Sequence, residues 1–178
     1  RLFLIYIVGH CSLTSVVIQK AQKFGFFIAL MTSGFKLYSV IGASKDGNTL
    51  LHKKQYENTE IDIAKHIIKN KIENQISEIN SNRNKYLLQV ECLEKMNCYL
   101  QKLDGVSQLQ ELMGYEGLAA KAYFAAHFNN VVWKGRKPRI KSDYVNSVLD
   151  IGYTMLFSYI DALLMCFGFD TYCGFLHK

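Results

Sequence analysis

Proline is almost absent from this sequence and glycine is not abundant: the 178 residues contain one proline and twelve glycines. Such a chain has little material for long disordered linkers. With 49% hydrophobic and 20% charged residues it has the composition of a folded globular protein. Its length suits one ordinary domain, or a small domain attached to a larger one. Because the chain begins with Arg1 rather than methionine, we expect it to be part of a longer protein.

Several signatures of common site chemistry are also missing. The sequence has no Cys-x-x-Cys pair, no Gly-x-x-x-x-Gly-Lys-[Ser/Thr] phosphate loop and no Gly-x-Gly-x-x-Gly fingerprint. No pattern supports a serine or cysteine nucleophile. An odd number of cysteines with apolar neighbours predicts reduced, buried thiols in a cytoplasmic protein and argues against a zinc site. The five are Cys11, Cys92, Cys98, Cys166 and Cys173.

Positive charge exceeds negative charge, since 21 Lys+Arg against 15 Asp+Glu give a formal net charge of +6. A basic surface suits nucleic acid, because neutralising phosphates releases counterions, but it suits an anionic membrane as well. The apolar run 145–169 is long enough to span a bilayer. Asp150 and Asp161 lie within it, however, and would be costly at the bilayer centre. We therefore predict a buried helix there.

The order of patterns along the chain predicts an α+β fold. Residues 2–9 form an apolar strand-like run, Ser12 to Gly25 bound a helix, and two short strands flank the turn residues Ser33 and Gly34. A connector with turn residues follows. Four helical patterns cover the rest of the chain. The first is 59–79, with Thr59 as its cap, and the second is 84–103. The third ends at Phe128 and begins at Ser107 or at Glu116, and the fourth is 143–167. In the first of these, the predicted buried face contains Ile61, Ala64, Ile67, Ile68, Ile72 and Ile76.

Glu116 lies in a segment of small residues, GYEGLAAKAYFAAHFNN, which lets a helix or a ligand approach the backbone closely. Glu116, Tyr123 and His127 share one helical face. Eleven residues at about 1.5 Å each separate Glu116 from His127 by roughly 16 Å, too far to hold one ion. A metal partner for Glu116 must therefore come from elsewhere. The alternative to a metal-binding role is that Glu116 is an acid in the first turn of its helix, stabilised by the helix dipole.

A basic loop, VVWKGRKPRIK, follows this helix. Cations beside an indole can clamp a phosphodiester backbone and stack on a base, although a solvated surface loop has the same composition. The loop contains Trp133, Lys134, Arg136, Lys137, Arg139 and Lys141. Near the end of the chain, His177 closes the sequence CGFLH, where a structural histidine is the alternative to a functional one.

Three motifs in this order resemble the family of CRISPR-associated protein one, the integrase of CRISPR adaptation. YEGLAAKAYF resembles the catalytic-helix pattern E-G-x-A-A-x-x-Y-F. GRKPRIKSDYVNSVLDIGYTML resembles R-x-x-P-P-x-D-x-x-N-x-x-L-x-x-G-Y-x-x-L, with Arg139 in place of the second proline. FGFDTYCGFLH resembles the segment with the metal-binding histidine. The earlier segments, including KNKIENQ, resemble this family too, and the start resembles variants that accompany single-effector CRISPR systems.

The resemblance implies a small β-rich amino-terminal domain at 1–44, a linker at 45–58 and an α-helical catalytic domain at 59–178. It implies that Glu116 and His177 are catalytic ligands of Mg²⁺ or Mn²⁺, with a third acidic ligand beyond Lys178. Tyr123 and the cations of the basic loop (Lys134, Arg136, Lys137, Arg139 and Lys141) are expected to bind DNA. The implied assembly is a homodimer with a small ferredoxin-like partner subunit.

The implied reaction is metal-dependent phosphodiester transesterification, which joins spacer 3′-hydroxyls to the repeat in double-stranded DNA, in the cytoplasm. Two alternatives stay open. One is a DNA-binding scaffold of the same fold without catalysis. The other is an unrelated helical interaction protein with a basic face, in which Glu116 and His177 would lie far apart.

Overall fold

A computed structural model of the chain describes residues 2–42, 48–58, 61–128, 133–140 and 143–176. The chain divides into two compact units. One, here named the sheet unit, contains Arg1–Asn58 and Ser147–Gly174, and the other, the helical unit, contains Thr59–Asn146 and Phe175–Lys178. Compact units are not domain boundaries, so the domain bounds expected from the sequence stay a prediction.

The sheet unit is built on three strands, β1 (Leu4–Val8), β2 (Phe27–Met31) and β3 (Leu37–Gly42), in the order β1-β2-β3. β1 pairs parallel with β2, and β3 pairs antiparallel with β2. The helix α1 (Ser15–Phe24) makes the crossover that a parallel pair requires. All five residues of β2 are buried, so the central strand is the core of this sheet.

The predicted order of strand, helix, strand, strand is confirmed. The predicted helix start at Ser12 is wrong, because α1 begins at Ser15 after an extended Thr14. Its end at Gly25 is as predicted: this glycine has φ of 68°, the left-handed conformation that commonly closes a helix.

A second helix, α2 (Thr49–Glu57), lies where the sequence suggested only a connector. Its Gln55 is buried, donates hydrogen bonds to the carbonyl oxygens of Asp170 (2.6 Å) and Cys173 (3.1 Å), and accepts one from the Asp170 amide. Tyr56 donates to the Asp170 carboxylate at 2.6 Å. Gln55, Tyr56 and Asp170 thus form a polar clasp between α2 and the turn after the last helix.

The helical unit contains α3 (Asp62–Ser81), α4 (Leu87–Lys102), a 3₁₀ turn at Leu103–Gly105 and α5 (Leu109–His127). Aliphatic residues and alanines from all three helices form one apolar core, which includes Ala64, Ile68, Ile72, Ile79, Leu93, Met96, Leu112, Ala119, Ala122 and Ala126. The predicted buried face of α3 is confirmed at Ala64, Ile68 and Ile72. Ile67, which is 48% exposed, was placed on that face wrongly.

The last helix, α6, is Tyr144–Cys166. Only 11% of its most apolar stretch is buried, so the prediction of a buried helix is wrong for the described structure. Large apolar side chains project from α6 on most of its sides. Only part of its circumference packs on the rest of the sheet unit: Ser158 and Ala162 are buried there, and Tyr159 stacks on Tyr6 at 5.0 Å. By length and composition alone, α6 is the one helix among the described residues that meets the criteria for a membrane span, which is a weak indication.

The cysteines also differ from expectation, although each of them is a free thiol. Cys92 is buried, and this burial raises the pKa of its thiol. Cys11 and Cys98 are exposed, and Cys166 and Cys173 are partly buried. Apolar neighbours in sequence do not decide burial, because Cys92 and Cys98 lie on different faces of the same helix, α4.

Candidate active site and nucleic-acid surface

Glu116 is the eighth residue of α5 and therefore lies in its interior, which overturns the alternative of an acid in a first helical turn. Its side chain is 27% exposed. Lys71 of the neighbouring helix α3 donates a hydrogen bond to Glu116 Oε1 and forms an ion pair with it. The apolar core of the helical unit packs α3 against α5, and this packing fixes the positions of Lys71 and Glu116.

A cleft of about 650 Å³ begins one residue beyond Glu116. Gly117 forms part of its wall, and a Cβ atom added there would meet nothing within 4 Å. The small residue therefore leaves open space rather than avoiding a clash. Phe124, Phe128 and Trp133 give the cleft an aromatic wall, and Lys121 and Arg136 add positive charge.

The aromatic wall is packed edge to face. The Trp133 ring lies 5.5 Å from Phe124 and 4.7 Å from Phe128, with interplanar angles of 73° and 61°. The indole Nε1 is buried and has no hydrogen-bond partner among the described residues. Such a wall can stack against a flat aromatic group, and the two cations beside it can neutralise phosphate.

One side chain, Asn146, holds the basic loop. This asparagine is fully buried and accepts hydrogen bonds from the Lys137 amide (2.8 Å) and Arg136 Nη1 (3.1 Å). Its Nδ2 donates to the carbonyl oxygen of Gly135 (3.1 Å) and to Asp143 Oδ2 (2.7 Å). Two of these hydrogen bonds hold the loop backbone, at Gly135 and Lys137, and the one to Asp143 stays at the start of α6. The loop therefore has a defined shape at the rim of the cleft.

The predicted DNA-binding cations occupy different positions in this loop. Lys134, Lys137 and Arg139 are exposed, whereas Arg136 is partly buried, and Lys141 lies outside the described residues. Arg139 has φ of 64°, a left-handed conformation. A proline, whose ring fixes φ near −65°, cannot adopt it, so the loop with arginine here differs in backbone from one with a second proline.

Tyr123 and His127 lie one turn apart on α5 and stack on each other at 5.5 Å. His127 Nδ1 lies 3.2 Å from Glu78 Oε1 of α3. His127 is therefore engaged in packing contacts within the helical unit, which agrees with its exclusion as a metal partner of Glu116. Tyr123 is half-buried, and its role toward DNA stays a prediction.

The second expected ligand, His177, lies outside the described residues. Within the described ranges, no group of three or more histidine, cysteine, aspartate or glutamate side chains is arranged to hold a metal ion. Glu116 nevertheless fits one position of such a site: its carboxylate is the ligand type that Mg²⁺ and Mn²⁺ prefer, and it already attracts a cation, the Lys71 ammonium.

Two residues of this region carried no role in the sequence interpretation. Asn146 lies within the second motif, so its spacing from the loop was visible but not its contacts. Lys71 lies within KNKIENQ, 45 residues before Glu116, and nothing local predicts that pair. Only the packing of α3 on α5 brings the two charges together.

Comparison with known proteins decides the family. The family model described as CRISPR associated protein Cas1 matches residues 1–178, the whole chain. The chain belongs to this family. A curated Cas1 relative from Thermodesulfovibrio yellowstonii, named CRISPR-associated endonuclease Cas1 1, is 27% identical over 187 residues, which cover 98% of this chain and 59% of the relative. The resemblance seen in the sequence is thus confirmed.

Solved structures share the Cas1 fold. A chain of a structure described as a partial Cas6-RT-Cas1–Cas2 complex matches 99% of this chain with a TM-score of 0.79 and 20% identity, over 56% of its own length. A Cas1 protein from Thermotoga maritima matches 98% with a TM-score of 0.71 and 19% identity, over 58% of its length. These likenesses confirm the fold class of a small sheet followed by helices. The chain spans less than two thirds of the length of these relatives.

Proposed function

We propose that this chain is part of a metal-dependent DNA integrase and endonuclease of CRISPR adaptation, which joins spacer 3′-hydroxyls to the repeat by transesterification. One observation carries the proposal: Glu116 lies in the interior of α5, one residue before Gly117 in the wall of a cleft with aromatic and basic side chains. Curated Cas1 relatives are named CRISPR-associated endonucleases.

Glu116 would supply a carboxylate oxygen to Mg²⁺ or Mn²⁺, together with His177 and a third acidic ligand beyond Lys178. When bound, such an ion polarises the target phosphate and activates the attacking hydroxyl. The partly buried position of Glu116 restricts its solvent contact, and its helix fixes the direction from which it meets a ligand.

The basic loop and the cleft would place the DNA. Arg136 reaches both the cleft and Asn146, so a phosphate that it contacts would be fixed relative to α5. Lys134, Lys137, Arg139 and Lys141 would add exposed positive charge for the backbone without reading sequence. Tyr123, two helical turns from Glu116, completes the expected DNA surface.

We infer the partners from the likeness to Cas1 proteins. Solved structures that share the fold are described as Cas1–Cas2 complexes. We accordingly expect this chain to act on double-stranded DNA as a homodimer with a small ferredoxin-like subunit. The same expectation puts the protein in the cytoplasm.

A strand-joining assay tests the proposal. It would use the protein at its natural length with its small partner, a short duplex with free 3′-hydroxyls, a plasmid with the repeat, and Mg²⁺ or Mn²⁺. Glu116→Gln should lower joining by on the order of 100-fold or more, because the variant keeps the shape of the side chain but loses its charge. Glu111→Gln, in the first turn of the same helix, is the control and should leave joining unchanged.

Joining without added metal, or undiminished joining by Glu116→Gln, would contradict the proposal. Tight DNA binding by the wild-type protein with no joining under any metal condition would instead favour the DNA-binding scaffold.

A further inference from the structure

A line of polar side chains runs along the contact between α3 and α5. Lys71, Gln75 and Glu78 follow each other at intervals of four and three residues, so they share one face of α3. On α5, Glu116 accepts a hydrogen bond from Lys71, and His127 Nδ1 lies 3.2 Å from Glu78 Oε1. Each of the two carboxylates therefore has a basic side chain against it.

Both pairs are partly open to solvent, since the side chains of His127 and Glu78 are 40% and 42% exposed. Glu78 Oε2 is buried and has no hydrogen-bond partner in the described part of the chain. The side chains of Lys71 and Glu116 are 44% and 27% exposed. Because both side chains of this second pair are partly exposed, either one can release the other and bind an ion from solution instead.

An ammonium group and a divalent metal ion compete for the same carboxylate oxygen. Both are cations, and two cations bound to one carboxylate lie close enough to repel each other. Lysine carries its charge on a flexible four-carbon stem, so it can leave the carboxylate without any movement of the helices. A bound phosphodiester would offer the released ammonium a new anion.

We propose that Lys71 is the resident counter-cation of Glu116 and sets the affinity of this site for divalent metal. In the metal-free protein the ammonium neutralises Glu116, and it must leave Oε1 before a divalent ion can take that oxygen. A DNA phosphate that attracts Lys71 then frees Glu116, so DNA and metal strengthen each other's binding. By thermodynamic linkage this effect is reciprocal.

This inference rests on the proposed function, because it takes Glu116 as a metal ligand. The test measures Mn²⁺ affinity directly, by electron paramagnetic resonance of the free ion, on the protein at its natural length. Without DNA, Lys71→Met should bind Mn²⁺ roughly threefold to tenfold tighter than the wild type, because the competing charge is gone. A short duplex should raise Mn²⁺ affinity in the wild type and much less in the variant.

Lys69→Met is the matched control. Lys69 lies on the same helix and pairs with Asp104 at 3.7 Å, so its loss changes the net charge equally at a distance from Glu116. Lys71→Arg keeps the charge and should keep the affinity of the wild type. Circular dichroism melting checks that each variant is folded.

Three outcomes would contradict different parts of the proposal. If Lys71→Met binds Mn²⁺ no tighter than Lys69→Met while Glu116→Gln loses binding, the inference about Lys71 is wrong and the metal role of Glu116 stands. If Glu116→Gln binds Mn²⁺ as the wild type does, both fail. If DNA raises the affinity equally in wild type and Lys71→Met, the linkage to DNA is wrong.

Discussion

The two compact units are stabilised in different ways. The helical unit has one apolar core that draws residues from α3, α4 and α5, and alanines at the contacts of α5 allow its close packing. The sheet unit concentrates its apolar burial in the central strand β2 and adds the polar clasp of Gln55, Tyr56 and Asp170. Apolar packing tolerates changes of pH, whereas a hydrogen bond to a carboxylate does not. Glu116 lies in the unit with the apolar core, so its support depends less on pH than the clasp does.

The largest effect is expected from Ile72→Ala in the helical core. Ile72 is fully buried, and removal of its side chain should cost about 2–5 kcal/mol of unfolding free energy, through lost transfer energy and a cavity. Urea denaturation gives the loss, and hydrogen exchange locates it. Protection should fall throughout α3–α5 and be retained in β2. The control is Ile67→Ala on the same helix, whose exposed side chain predicts a small effect. Equal loss of protection in β2 would show that the units unfold together.

A smaller effect is expected from Gln55→Leu in the polar clasp. The change removes the hydrogen bonds from Gln55 to the partly buried carbonyl oxygens of Asp170 and Cys173 and the one from the Asp170 amide to Gln55, which should cost about 1–3 kcal/mol. Hydrogen exchange should then increase after residue 167 and not in the helical core. Lys54→Leu, at an exposed position of α2, serves as the control. An equal increase in both variants would contradict the importance of the clasp.

The smallest effect, but the most specific, is expected from Tyr56→Phe. The hydrogen bond from Tyr56, followed by the one from the Tyr172 amide, lowers the pKa of Asp170 below its ordinary value. A carboxyl whose pKa is lowered on folding stabilises the fold above its unfolded pKa, and this contribution is lost as the pH falls through the folded pKa. The wild type should therefore melt above Tyr56→Phe near neutral pH, and the gap should close in acid.

Melting curves of both proteins at neutral and strongly acidic pH test this. Tyr172→Phe is the control, since the Tyr172 ring is 96% exposed and only its backbone amide bonds to Asp170. A gap that is the same at both pH values would mean that Asp170 does not carry the effect.

Much of the fold is predictable because it follows from local patterns. The strands and the long helices have clear periodicity, and the Ser33-Gly34 turn is confirmed by the antiparallel pairing of β2 with β3. α2 was missed because the turn residues before it dominate the segment. Its stability comes from contacts with residues more than one hundred positions away, which no local pattern contains.

The candidate site was predictable in part for the same reason. Glu116 and the basic loop stand out in sequence and are found beside one cleft, although their roles stay predictions. The partner of Glu116, Lys71, depends on which turn of α3 meets which turn of α5, a matter of helix packing. The exposure of α6 likewise depends on what packs around it and not on its own composition.

Asn146 has a consequence for how this loop can evolve. It fixes the loop through the Gly135 carbonyl and the Lys137 amide, groups that every residue type except proline provides. Substitutions at Lys134, Lys137 or Arg139 can therefore change the charge of the loop without removing these contacts. Selection can retune how strongly the surface attracts an anion by many single mutations, as long as one asparagine is kept.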